Sequence, residues 1–125
     1  MIRNIYINDI WSKGASGIGL FGATEGATIS NLSITGDINC YNNNESSRRS
    51  RAGGIVGSAN RGKNIIVNCN NYCNISSYGP TGGIVGCRDN GSVKIIQCGN
   101  FGKIKTLSRR RKLCINRRNL WRVRR

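Results

Sequence analysis

A 29-residue period constrains this chain more than any other feature. Gly53–Ile75, GGIVGSANRGKNIIVNCNNYCNI, recurs without a gap as Gly82–Ile104, GGIVGCRDNGSVKIIQCGNFGKI. In that register Gly53 falls on Gly82, Gly57 on Gly86, Ile66 on Ile95, Cys69 on Cys98, Asn71 on Asn100 and Ile75 on Ile104, and Tyr72 is replaced in kind by Phe101. A third copy, Ser16–Ile38, aligns Gly19–Gly22 with Gly54–Gly57 at an offset of 35. After a two-residue gap, its Ile29, Leu32, Gly36 and Ile38 align with Ile66, Cys69, Cys73 and Ile75 at an offset of 37. Residues 2–10, IRNIYINDI, read as the tail of a further unit whose head is missing, with Ile2, Asn4, Ile5 and Ile7 echoing Ile29, Asn31, Leu32 and Ile34.

A unit of this size cannot bury its own apolar face, so several must stack to share one core. The apolar runs are short, β-branched and punctuated by Gly and Asn, which fits poorly with helices of ten residues or more. Three strands per unit are expected. The first centres on Leu20-Phe21, Ile55-Val56 or Ile84-Val85, and the second covers Ile29–Leu32, Ile65–Cys69 or Val93–Cys98. The third is brief and ends at Ile38, Ile75 or Ile104. Stacking like on like gives parallel strands about 4.8 Å apart. The product is an all-β chain, a β-solenoid of three to four coils with ladders of Ile, of Leu32/Cys69/Cys98 and of Asn71 over Asn100. Asparagines stacked at an inward turn can satisfy their amides from rung to rung. The extra length between the first and second full units falls in the polar stretch Cys40–Arg51, expected as a surface loop.

The GGIVG segments, each followed by an Ile and by NCNNYCNI or QCGNFGKI, closely resemble the GLUG motif repeat, named for Gly-Leu-(any)-Gly. The resemblance covers roughly residues 16–107. It implies a right-handed parallel β-helix in a bacterial surface or secreted protein, such as an adhesin or the non-catalytic region of an IgA-specific metallopeptidase. The implied localisation is secreted or cell surface, and the implied partners are host-surface or cell-wall ligands, glycans included. Cys73 departs from the pattern, standing where the other copies have Gly36 and Gly102.

Several chemistries fail on residue type. The chain has no His, which removes HExxH metallopeptidase sites and His-based triads. Gly17, Gly19 and Gly22 spell GxGxxG with Asp37 twenty residues on. A dinucleotide site needs a helix after those glycines, and ATEGATISNLSI does not supply one. Cys69 and Cys73 lack a second ligand pair at zinc spacing. Stacked Cys69 and Cys98 leave two readings open, a free apolar ladder or a disulfide between coils. The acids Asp9, Glu25, Asp37, Glu45 and Asp89 occupy non-equivalent positions, as solvated surface charges do. No catalytic residue, cofactor or metal site is expected, and the chain reads as a non-enzyme. The Asn-x-Ser sequons at Asn31, Asn44, Asn74 and Asn90 arise easily in an Asn-rich sequence.

Charge singles out the last stretch. The net charge is +15, of which residues 108–125 carry nine units, from nine Lys or Arg and no acid. Arg109, Arg110, Arg111, Lys112, Arg117, Arg118, Arg122, Arg124 and Arg125 form a candidate polyanion-binding tail, either unstructured or a short helix with Leu113, Cys114, Leu120 and Trp121 on one stripe. Two functions are therefore carried forward. The first is a non-enzymatic structural or adhesive repeat segment, with outward turns and the Cys40–Arg51 loop as contact surface. The alternative is a small polyanion-binding protein acting through the tail, toward nucleic acid or an anionic surface. Met1-Ile2-Arg3 leads straight into repeat-like sequence with no apolar signal-peptide core. No run approaches the length of a membrane helix. A chain that opens inside a repeat and leaves the pattern after Leu107 is expected to be a slice of a longer protein, and the tail a doubtful natural continuation.

Overall fold

The computed structural model describes residues 1–9, 17–40 and 51–107, with the backbone alone at Asp9. Among these residues the chain is all-β. An opening strand β1 (Ile2–Asp9) is followed by β2 (Phe21–Thr24), β3 (Thr28–Ser30) and β4 (Ser33–Cys40) of the first full unit. The second unit holds β5 (Ala52–Gly53), β6 (Val56–Ala59), β7 (Gly62–Val67), β8 (Asn70–Asn71) and β9 (Asn74–Ser77). The third repeats it as β10 (Thr81–Gly82), β11 (Val85–Arg88), β12 (Gly91–Ile96), β13 (Gly99–Asn100) and β14 (Ile104–Thr106).

The strands pair in parallel, unit on unit. Between the second and third units every pairing holds the 29-residue offset, from Thr81 on Ala52 to Ile104 on Ile75. The first unit joins in the two expected phases. Phe21 pairs Val56 at an offset of 35, and Ile29 pairs Ile66 and Ile38 pairs Ile75 at 37. Three sheets, β2-β6-β11, β3-β7-β12 and β5-β10, stand beside a fourth in which β4 pairs with β1, β8 and β9. All four sheets bury side chains in one core. Ile34 and Ile38 come from β4, Ala52 from β5, Val56 and Ala59 from β6, Ile66 from β7 and Ile75 from β9, with Cys69 and Cys73 between strands.

The strands are cut more finely than their hydrophobic pattern suggests. Asn31, Asn68 and Gln97 occupy equivalent corners, each left-handed at φ 58°, 53° and 51°. Asn tolerates that conformation better than most residues. The corner ends the second strand at Ser30, Val67 and Ile96, short of Leu32, Cys69 and Cys98, and turns the chain into the next sheet. The third strand begins at or just before Ile75 and Ile104 and runs on to Ser77 and Thr106. The echo drawn between residues 2–7 and 29–34 is also displaced. Ile5 pairs Gly36 and Ile7 pairs Ile38, with a register shift between Ile2 and Ile5. The shift falls where left-handed Asn4 donates its N–H to Thr35 Oγ1.

Ile7, Ile38, Ile75 and Ile104 thus form one ladder four rungs deep. Ile38 and Ile75 are fully buried, whereas Ile104 is 42% exposed on the last described rung; Ile95, above the buried Ile66, is 49% exposed. Equal truncations should therefore cost unequally. Ile75→Ala is expected to lower the urea-unfolding free energy by about 2–5 kcal/mol, and Ile104→Ala by less than half as much. Equal losses would contradict the burial gradient along the ladder.

Candidate functional site

A polar ladder lies inside this apolar stack. Asn71, fully buried, spends both amide hydrogens: Nδ2 donates to Asn100 Oδ1 (2.8 Å) on the next rung and to Cys73 O (3.2 Å). Its Oδ1 accepts from Cys73 N (3.0 Å). Asn100 repeats the local bond, donating to Gly102 O (3.1 Å). The glycines of the GGIVG segments make room for these amides. A Cβ on Gly54 would lie 2.5 Å from Asn71 Cγ, and one on Gly83 would lie 2.5 Å from Asn100 Oδ1. Only glycine allows that approach. In the first unit the same rung holds Ile34, paired directly with Asn71, so the polar column starts in the second unit.

Immediately after each ladder Asn the chain turns a side chain outward. From Tyr72 to Ser77 burial alternates, with Tyr72, Asn74 and Ser76 outward and Cys73, Ile75 and Ser77 buried. One rung on, Phe101, Lys103 and Lys105 are all exposed at the same positions. Tyr72 and Phe101 stack with ring centroids 4.9 Å apart and planes 15° from parallel. Lys103 N donates to Asn74 Oδ1 (3.1 Å), fixing the second row. The result is an outer face with an aromatic column beside amide, hydroxyl and ammonium groups. The repeat register matched Tyr72 to Phe101 in advance; it did not reveal that both point outward.

A buried charge cluster was not anticipated. Arg51, read as the end of a surface loop, is buried; it donates to Ser58 Oγ (3.2 Å) and pairs with Asp89 (3.5 Å). Ser58 in turn donates to Asn60 Oδ1 (2.7 Å). Residues 41–50 of that loop lie outside the described residues, as does the whole candidate tail from Arg109 to Arg125, with Glu45 and the side chain of Asp9.

The remaining sequence candidates are placed as follows. Gly17 and Gly19 precede strand β2 and Gly22 lies within it, with no helix following, and a Cβ on Gly17 would lie 2.6 Å from Gly57 C. They are packing glycines. Glu25 and Asp37 are exposed, Asp37 sharing the outer face with Asn74, and Asp89 is taken by Arg51. Among the described residues no group of three His, Cys, Asp or Glu side chains stands together as metal ligands do. Cys69, Cys73 and Cys98 are free thiols. Burial pushes the Cys73 thiol from 9.0 up to about 11, with the Asp37 carboxylate adding to the rise. Burial, then the neighbouring Cys98, also raises Cys69, against the hydrogen bonds at Leu32 and Val67.

Two measurements test this interior. Asn71→Ala strands the buried N–H and C=O of Cys73 and should cost about 1–3 kcal/mol in chemical denaturation. The Cys73 thiol ionises more readily unfolded than folded, so the unfolded chain loses its proton first as pH rises. Its contribution is full below pH 9 and is lost as pH climbs through about 11. Stability should fall more steeply across that window in the parent chain than in Cys73→Ala; identical pH profiles would refute it.

Comparison with protein-family models, with curated proteins and with solved structures finds no match to this chain.

Proposed function

We propose that the chain is a non-enzymatic repeat segment of a cell-surface or secreted protein, coiled as a right-handed parallel β-helix of three to four turns and serving in structure or adhesion. The observation that carries this reading is the fixed 29-residue register. It fills the interior with ladders and sends alternate residues outward in rows, of which Tyr72/Phe101, Asn74/Lys103 and Ser76/Lys105 are the most developed. Such rows suit an extended, repetitive partner, a host-surface or cell-wall glycan above all. The resemblance of the GGIVG segments to GLUG repeats supports the surface placement.

A second reading rests on the tail, whose nine basic residues and no acid suit contacts to phosphate or sulfate. In this reading the chain is a polyanion-binding protein and the repeats are its platform.

One experiment separates them. The full chain is expected to be retained on an array of immobilised host and cell-wall glycans, and the variant Phe101→Ala/Lys103→Gln/Lys105→Gln to lose about tenfold in affinity with an unchanged thermal melt. If only heparin and DNA retain the chain, salt abolishes that retention, and deleting residues 108–125 removes it, the tail reading replaces the first. A chain that no array member retains overturns the adhesive reading.

A further inference from the structure

The inward column Leu32–Cys69–Cys98 places two free thiols on consecutive rungs. Their backbones are held together from both sides. Asn68 N donates to Ile96 O (2.9 Å) just before the pair, and Gly99 N donates to Cys69 O (3.1 Å) just after it. The rungs of such a sheet lie about 4.8 Å apart, within the range that a disulfide spans between Cα atoms. The two sulfurs share one orientation. Cys69 Sγ donates to Val67 O (3.4 Å) on its own rung and to Ile29 O (3.7 Å) one rung below. Cys98 Sγ likewise donates to Ile96 O (3.3 Å) and reaches down to Ile66 O (3.4 Å). The Cys98 sulfur therefore already leans into the rung that holds Cys69. A turn of Cys69 about its Cα–Cβ bond, giving up only weak S–H bonds, would bring the sulfurs together.

We propose that Cys69 and Cys98 are an oxidisable pair, and that a low-molecular-weight disulfide converts them into a covalent staple between the second and third units. Access dictates the order of events. Cys69 is fully buried and Cys98 only partly so. The Cys98 thiolate attacks one sulfur of the external disulfide, releasing one small thiol and leaving a mixed disulfide. Cys69, shedding its proton, then attacks the Cys98 sulfur and expels the second small thiol. Two protein thiols become one protein disulfide, and the external disulfide takes up the two electrons. The link closes between β7 and β8 on one rung and between β12 and β13 on the next. There it ties the half-exposed last unit to the buried middle one. An oxidising, extracellular setting favours such links, so the inference agrees with the surface reading without requiring it.

The test exposes the full native chain to oxidised glutathione. Mass spectrometry should show loss of two hydrogens with no retained glutathione, and the thermal midpoint should rise. Peptide mapping should link the Cys98 peptide to the one that bears Cys69. Because that peptide also bears Cys73, the link must persist in Cys73→Ala and vanish in Cys69→Ser. In Cys69→Ser, Cys98 should stop as a stable glutathione adduct. Three results would each overturn the proposal: a parent chain that also stops at the adduct, one that links Cys98 to another cysteine, or one that leaves Cys98 unmodified.

Discussion

In-register parallel stacking is the constraint on which everything else depends. A rung satisfies its backbone N–H and C=O groups on its neighbours, so like residues come to lie above like. An apolar column tolerates this freely, as Ile7, Ile38, Ile75 and Ile104 do. A polar inward residue does not, because it must find partners along the column or within its own rung. Asn71 solves the problem with both, bonding Asn100 above it and Cys73 beside it. That solution fixes residues elsewhere in the unit, since Gly54 and Gly83 must stay bare to seat the amides. The GG of each GGIVG segment and the NCNN or QCGN that follows it are therefore two halves of one packing requirement.

The same rule governs charge. Like charges paired directly across neighbouring strands repel, and a repeat that copied its lysines faithfully would stack them. This chain does not. Lys63 pairs with Ser92, Lys94 with Ile65, Arg88 with Ala59 and Lys105 with Ser76. The second and third units can therefore carry seven basic residues and one acid between residues 51 and 107 without a basic column in any paired strand. The single acid, Asp89, is drawn onto buried Arg51, where the ion pair offsets the cost of taking a guanidinium out of water.

How much of this was legible depends on whether a residue has a counterpart one period away. The 29-residue register, the 35-to-37 change of phase, the inward Asn ladder and the pairing of Tyr72 with Phe101 were all readable, because each is a repetition. The left-handed corners were not. Asn31 and Asn68 look like any other Asn in an Asn-rich chain, and Gln97 hides the third instance. The offset of β1 was missed because a short Ile-rich strand fits several registers, and the bulge at Asn4 selects one of them. Arg51 and Asp89 have no repeated partner at all, so periodicity is silent about both.

Departures from the repeat therefore carry most of what is particular to this chain. Cys73 stands where Gly36 and Gly102 would suffice, and it is buried with its thiol pushed well above the ordinary range. Cys69 and Cys98 replace Leu32 in a column that an aliphatic residue fills equally well in the first unit. A simple packing ladder had no need of sulfur at either point. Packing alone accounts for the buried isoleucines, for Gly54 and Gly83, and for Asn71. The two thiols that lie on adjacent rungs, Cys69 and Cys98, have a chemistry available to them that leucine lacks.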